Sequence, residues 1–343
     1  MITKTRVSIL LVFVTIVIAA LTGTARADAN LRSHPDSHRP HGVGVAGRTN
    51  ADQALRRFWT AERMKSAPMY RPVTPPGAGR RNGGNGGLDR PDGPARAVRP
   101  AAPTATTMQQ KTARPGFSWS GSLTTPPATT TGRVFFTLAD GQPAWCSGSA
   151  VSSEGKDMVI TAGHCVHDGA GGTWHGNWIF VPGYRNGSAP YGIWTARILD
   201  TTDSWYFHSD VRGDLGVAIV NPDSSGRHLV NVVGGQGFAW NYPVGLYAWD
   251  LGYPAESPYT GQTLQACTNS TWSDPWSTWG GILGLDCDFN GGASGGPWLI
   301  YFNGSLGYVN SVNSFPRSWL PGRIYGPYFD NEEGNLYNMY RYA

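Results

Sequence analysis

The residues best able to do chemistry lie in Asn290-Gly-Gly-Ala-Ser-Gly-Gly-Pro297. A serine hydroxyl is a poor nucleophile at neutral pH. It needs a base to take its proton and donors to hold the oxyanion that forms as it attacks. Glycines on both sides of Ser294 let the backbone turn tightly and aim N–H groups at a substrate. The string Gly-x-Ser-x-Gly also marks the strand-to-helix elbow of α/β-hydrolases. Two features argue against an elbow here: Pro297 leads into the strand-like Trp298-Leu-Ile-Tyr-Phe302, and too little chain follows for an acid and a histidine. The partners of Ser294 must therefore lie upstream.

Upstream, Thr161-Ala-Gly-His-Cys165 follows the apolar Met158-Val-Ile160. His167, His175, His208 and His228 sit in no comparable pattern and read as structural or exposed. With both strings present in this order, the chain resembles the trypsin-like serine peptidases. Their base histidine sits in Thr-Ala-Gly/Ala-His-Cys and their nucleophile in Gly-x-Ser-Gly-Gly-Pro. The resemblance implies a third member, an acid just before an apolar strand. Asp214-Leu-Gly-Val-Ala-Ile-Val220 fits, whereas its nearest rival, Asp210, precedes Val-Arg-Gly. By the family mechanism Ser294 attacks, His164 shuttles the proton and Asp214 fixes the imidazole tautomer, with the N–H groups of Gly292 and Ser294 as the oxyanion hole. No cofactor is expected. Nor is a metal, since His164, Cys165 and His167 lack two spaced ligand pairs.

The nearer likeness is to bacterial V8-like peptidases, including glutamyl endopeptidases, over roughly residues 132–315. It is carried by Gly132-Arg-Val-Phe-Phe, Cys146-Ser-Gly-Ser-Ala-Val, Thr161-Ala-Gly-His-Cys-Val, Phe180-Val-Pro-Gly-Tyr and Cys287-Asp-Phe-Asn-Gly-Gly-Ala-Ser-Gly-Gly-Pro. Ala293 stands where the trypsin branch has an aspartate that captures a freed N-terminus, so that activation device is not expected. Asp288 occupies the position of trypsin's specificity acid, and Asn313 that of the glutamyl enzymes' histidine, so the resemblance makes both specificity-pocket residues and leaves the preference open. By spacing alone four cysteines admit three pairings. The resemblance implies a Cys146–Cys165 bridge beside the base, and the second bridge expected with it joins Cys267 to Cys287.

From Arg133 onward, short apolar and aromatic runs alternate with Gly, Pro, Asn and Asp clusters, which predicts an all-β fold with scarce helix. The runs include Arg133–Thr137, Met158–Thr161, Leu215–Val220, Leu229–Val233 and Gly307–Val312. About 210 residues suit the family's chymotrypsin-like architecture, two six-stranded β-barrels sharing the active-site cleft. Residues 316–343 match nothing recognisable. Upstream, charge divides the chain: residues 28–114 hold 15 basic and 6 acidic residues, and residues 115–343 hold 9 and 17. Such a basic segment suits a propeptide that docks on an acidic catalytic domain. Met69 to about Thr131 is dominated by Pro, Gly, Arg, Ala and Thr and reads as a linker. Ala51–Ser66 has apolar residues near helical spacing and predicts one short amphipathic helix.

Lys4 and Arg6, the apolar Val7–Leu21 and Ala25-Arg-Ala27 read as a signal peptide over residues 1–27. The expectation is a secreted, extracellular and monomeric serine endopeptidase. Its partners are protein or peptide substrates and its own propeptide, with no nucleic acid and, once the signal is cleaved, no membrane. An inactive protease-fold binding protein and an esterase with the same triad are the alternatives.

Overall fold

The structure is a computed structural model that describes residues 41–44, 49–72, 91–101, 113–277 and 280–343. The signal-peptide reading over residues 1–27 lies outside them. The described part of the basic region is β1 (Val43–Gly44), α1 (Thr49–Phe58), α2 (Ala61–Ser66), β2 (Arg96–Val98) and β3 (Ala113–Ser118). The first half of the body follows as β4 (Thr131–Thr137), β5 (Pro143–Ala150), β6 (Met158–Thr161), β7 (Gly176–Pro182), β8 (Trp194–Thr201), α3 (Asp203–His208) and β9 (Gly216–Val220). The second half holds α4 (Leu229–Val233), β10 (Gly237–Trp240), β11 (Tyr247–Gly252), β12 (Gln265–Ser270), β13 (Trp272–Ser273) and β14 (Ile282–Leu285). It ends with β15 (Pro297–Ile300), β16 (Tyr308–Val312), β17 (Phe315–Pro316), β18 (Ile324–Pro327) and α5 (Asn331–Tyr340).

The strand order β8-β7-β4-β5-β6-β9 closes on itself through β8–β9 pairing, so the first half is a six-stranded barrel, with β1 added at the edge of β8. Closure removes unpaired edges and makes an interior that only close-packed side chains can fill. β4 shows the consequence: all seven of its residues are buried, including Arg133. The Arg133 guanidinium lies among the rings of Trp145, Tyr184 and Phe135, 3.3 Å from the Trp145 centroid. Burial lowers its pKa to about 9. The second half is built as a seven-stranded sheet, β2-β10-β16-β15-β11-β12-β3, with a four-stranded sheet, β13-β14-β18-β17. The fold is all-β and chymotrypsin-like.

Three local expectations change. Leu229–Val233, β-branched and read as a strand, is the helical turn α4. The buried Asp157 accepts the Leu229 N–H at 3.0 Å, satisfying a helix N-terminus, and Gly234 at φ 80° ends the turn. The Met69–Thr131 segment, read as a linker, contributes β2 and β3, which pair with β10 and β12. Ala51–Ser66 forms two helices, because Thr60 starts α2 by accepting the Arg63 N–H.

These helices are docked on the barrel. Trp59 is 1% exposed, packs against Phe135 and donates its indole N–H to Asn177 O at 2.7 Å, and Met64 is also buried. Arg56 donates to Ile193 O, and Asp52 accepts from Thr195. At the other end of the chain, α5 opens with a capping box of Asp330 and Glu333. Tyr337 donates to Ser152 O at 2.6 Å and stacks on Phe238, so α5 fastens the two halves together.

Removing a buried tryptophan costs about 3–5 kcal/mol. In the full-length protein Trp59→Ala is therefore expected to speed hydrogen exchange across residues 49–66 while β4 and β5 stay protected. Unchanged exchange in α1 and α2 would show that Trp59 does not anchor them.

Candidate active site

Ser294 sits between two glycines that only glycine can replace. Gly292 and Gly295 have φ of 93° and 78°, in the left-handed region. A Cβ on Gly295 would fall 2.1 Å from Thr161 Oγ1, 2.5 Å from Ser147 O and 2.8 Å from Ala162 N. The loop of Ser294 thus lies directly on the end of β6, three residues before His164. Ser147 locks it there, its N–H donating to Ser294 O at 2.7 Å and its hydroxyl to Gly292 O at 2.8 Å. Within the loop the Ala293 N–H donates to Asn290 O. Among the described residues the flanking N–H groups of Gly292 and Ser294 donate to no protein acceptor. Two free donors on either side of an engaged one are what a developing oxyanion needs.

His164 lies in a single 3-10 turn, Gly163–Cys165, after β6. Its Nδ1–H donates to Asp214 Oδ2 at 2.7 Å and its backbone N–H to Asp214 Oδ1 at 2.8 Å. Both side chains are 1% exposed. The Nε2 atom is buried with no hydrogen-bond partner. With Nδ1 protonated toward the carboxylate, Nε2 is left with its lone pair available to a proton. Asp214 also accepts the Ser314 hydroxyl, from the segment between β16 and β17. The rival Asp210 instead binds Arg212 and accepts its N–H.

Two contributors were not legible in the motifs. Ser314 adjoins Asn313 but carries no signal of its own. His175, read as structural or exposed, donates from Nε2 to His164 O at 2.9 Å and stacks on Phe136 at 4.3 Å. It therefore supports the backbone of the histidine turn, and burial lowers its pKa to about 4.

The specificity candidates both have hydrogen-bond partners within the chain. Asp288 Oδ1 accepts from Gly116 N at 2.9 Å and from the Tyr259 hydroxyl at 2.6 Å, so it fastens β3. Asn313 is fully buried beneath the nucleophile loop, donating to Asp250 Oδ1 at 2.7 Å and Ala293 O at 3.2 Å and accepting from Trp298 Nε1 at 2.7 Å. Burial pushes the Asp250 carboxyl well above the usual carboxylate range. The disulfides are Cys146–Cys165 and Cys267–Cys287. Cys165 is thereby bridged and offers no thiolate to a metal.

The site is covered by the chain's own upstream segment. Tyr70 N–H donates to Trp145 O at 2.9 Å, and Trp145 Nε1 donates to Ala67 O at 3.0 Å. The Tyr70 ring lies 6.0 Å from the His164 ring, and its hydroxyl donates to Asp168 Oδ1 at 2.8 Å. A Cβ on Gly291, three residues before Ser294, would meet Met69 Sδ at 2.5 Å.

Because the folded-state pKa of His175 is depressed from 6.5 to about 4, the unfolded chain binds more protons between those values. The stabilisation by neutral His175 is complete above pH 6.5 and is lost as pH falls toward 4. The gap in melting temperature between wild type and His175→Gln is expected to shrink over that range. A gap that does not change with pH would contradict this.

Comparison with family models and with curated proteins gives no match. Solved structures do match. The chain is 37% identical to the protease Anisep from Arthrobacter nicotinovorans, covering 66% of this chain and 100% of that one with a TM-score of 0.61. It is 34% identical to AL20, a thermostable serine protease from an extremophilic microorganism, covering 62% and 97% with a TM-score of 0.59. A Glu endopeptidase shares the fold at 16% identity, covering 68% and 99% with a TM-score of 0.55. With the whole of Anisep matched above 30% identity, the chain belongs to the trypsin-like serine proteases of the chymotrypsin fold.

Proposed function

We propose that the protein is the precursor of a secreted serine endopeptidase, with His164, Asp214 and Ser294 as its triad. The observation that carries this reading is the buried imidazole of His164, held on Asp214 through Nδ1 while Nε2 has no partner. Nε2 takes the Ser294 hydroxyl proton as the oxygen attacks a peptide carbonyl. The negative charge that develops on the carbonyl oxygen meets the N–H groups of Gly292 and Ser294, and Asp214 stabilises the imidazolium. His164 then gives the proton to the departing amine, leaving an acyl-enzyme on Ser294. A water deprotonated by His164 hydrolyses that ester and restores the hydroxyl.

Residues 1–27 act as the signal peptide, residues 28–114 as the propeptide and residues 115–343 as the peptidase domain, working as a monomer. The segment from α1 to Arg71 keeps the precursor latent by lying over His164. Two disulfides suit an oxidising, extracellular destination, and no helix among the described residues is long and apolar enough to cross a membrane.

The full-length protein, secreted and left to mature, is expected to cut a diverse peptide library, and Ser294→Ala to lower that cleavage by at least about a thousandfold. Absence of cleavage by the wild type would favour a binding protein on this fold. Hydrolysis of esters but not of peptides with the same acyl group would favour an esterase.

A further inference from the structure

We propose that Asp168 and Glu256 are specificity-determining acids that select hydrogen-bond-donating and cationic side chains in the leaving-group half of the substrate. The proposal rests on the peptidase reading above and deepens it. In that chemistry the acyl half is held by Ser294 and the oxyanion donors. The departing amine must lie within reach of His164, which protonates it. The leaving half therefore runs beside the imidazole, where the Tyr70 ring now lies 6.0 Å from His164 and its N–H is bonded to Trp145 O.

The chain's own segment Ala67–Arg71 already lies along this path. Its main chain bonds to Trp145 at both Tyr70 N–H and Ala67 O, and Met69 forms a bridge with Trp145. This is strand addition, in which backbone bonds give affinity and the flanking pockets read side chains. Tyr70 lies edge-on against the stacked rings of Phe136 and His175, and its hydroxyl ends on Asp168. Burial and Asp168 push its phenol pKa up, so it keeps the proton it donates. Arg71 pairs with Glu256 at 2.8 Å. The two acids are 32% and 42% exposed even with the segment in place, so both are open to solvent at the cleft rim. Once the segment leaves, each faces the cleft without its present partner. The acidic balance of residues 115–343 favours the same substrates at longer range.

The test uses enzyme matured from the full-length protein and quenched peptides with one acyl half. The first three residues after the scissile bond vary among Tyr, Arg, Lys, Leu and Glu. A partly exposed ion pair supports a preference of about fivefold per acid. Peptides with Tyr, Arg or Lys are expected to exceed those with Glu by that factor in kcat/KM. The Arg-to-Glu ratio should fall toward one in Glu256→Gln, and the Tyr-to-Glu ratio in Asp168→Asn. Cleavage with flat preferences, or ratios that both variants leave intact, would overturn the assignment and leave the peptidase reading standing. Binding of the corresponding leaving-group peptides, read by fluorescence anisotropy, separates the remaining case. If nothing is cut but Tyr-Arg peptides still bind more tightly than Glu-Glu peptides, the peptidase reading fails and the subsites stand.

Discussion

The arrangement turns on one buried carboxylate. Asp214 is 1% exposed, and a charge so removed from water is tolerable only when donors replace its hydration. It receives three: the backbone and imidazole N–H groups of His164, at the end of β6, and the hydroxyl of Ser314, from the second half. Satisfying Asp214 therefore fixes three things together, namely the tautomer of His164, the turn that carries it and the approach of the second half to the first. Loss of any donor would leave part of a buried charge uncompensated, a cost of several kcal/mol. A similar logic of occupancy acts in the nucleophile loop, where the absence of a side chain at Gly295 is what lets Ser294 reach the neighbourhood of His164.

Beneath the loop lies a second buried carboxyl with the opposite solution. Asp250 has Asn313 as its hydrogen-bond partner and, among the described residues, no cation beside it, and burial pushes its carboxyl well above the usual carboxylate range. Asn313 passes this contact to Ala293 O, directly before Ser294. In the trypsin branch the position of Ala293 carries an acid that needs a cationic N-terminus. Here Asn313 and Asp250 brace the loop from within the chain.

What was legible in the sequence was what is local. His164 and Ser294 sit in strings whose meaning depends on neighbours within four residues, and Asp214 precedes its strand directly. Contacts closed only by the fold were not legible. His175 looks like any surface histidine until β7 sets it under His164. Leu229–Val233 has a strand-like composition, but Asp157, 72 residues away, converts it to a helical turn. Composition misled most in the basic region, where Pro, Gly and Arg dominate. The few residues that order it, Trp59, Met64 and Tyr70, are too sparse to shift an average. The Asp330 and Glu333 capping box of α5, by contrast, is local and written in the sequence.

The indole that meets the upstream segment also packs on a costly feature of the core. Arg133 is buried with no carboxylate beside its guanidinium among the described residues, held by the faces of Trp145 and Tyr184. Cation–π attraction is worth about 2 kcal/mol when desolvated, well short of a full replacement for water or a carboxylate. Trp145 also binds the covering segment by its edge, through Nε1 to Ala67 O, and by its carbonyl to Tyr70 N–H. One indole therefore closes the barrel interior on its face and the cleft on its edge. The cleft and the packing around the buried cation thus share a single side chain.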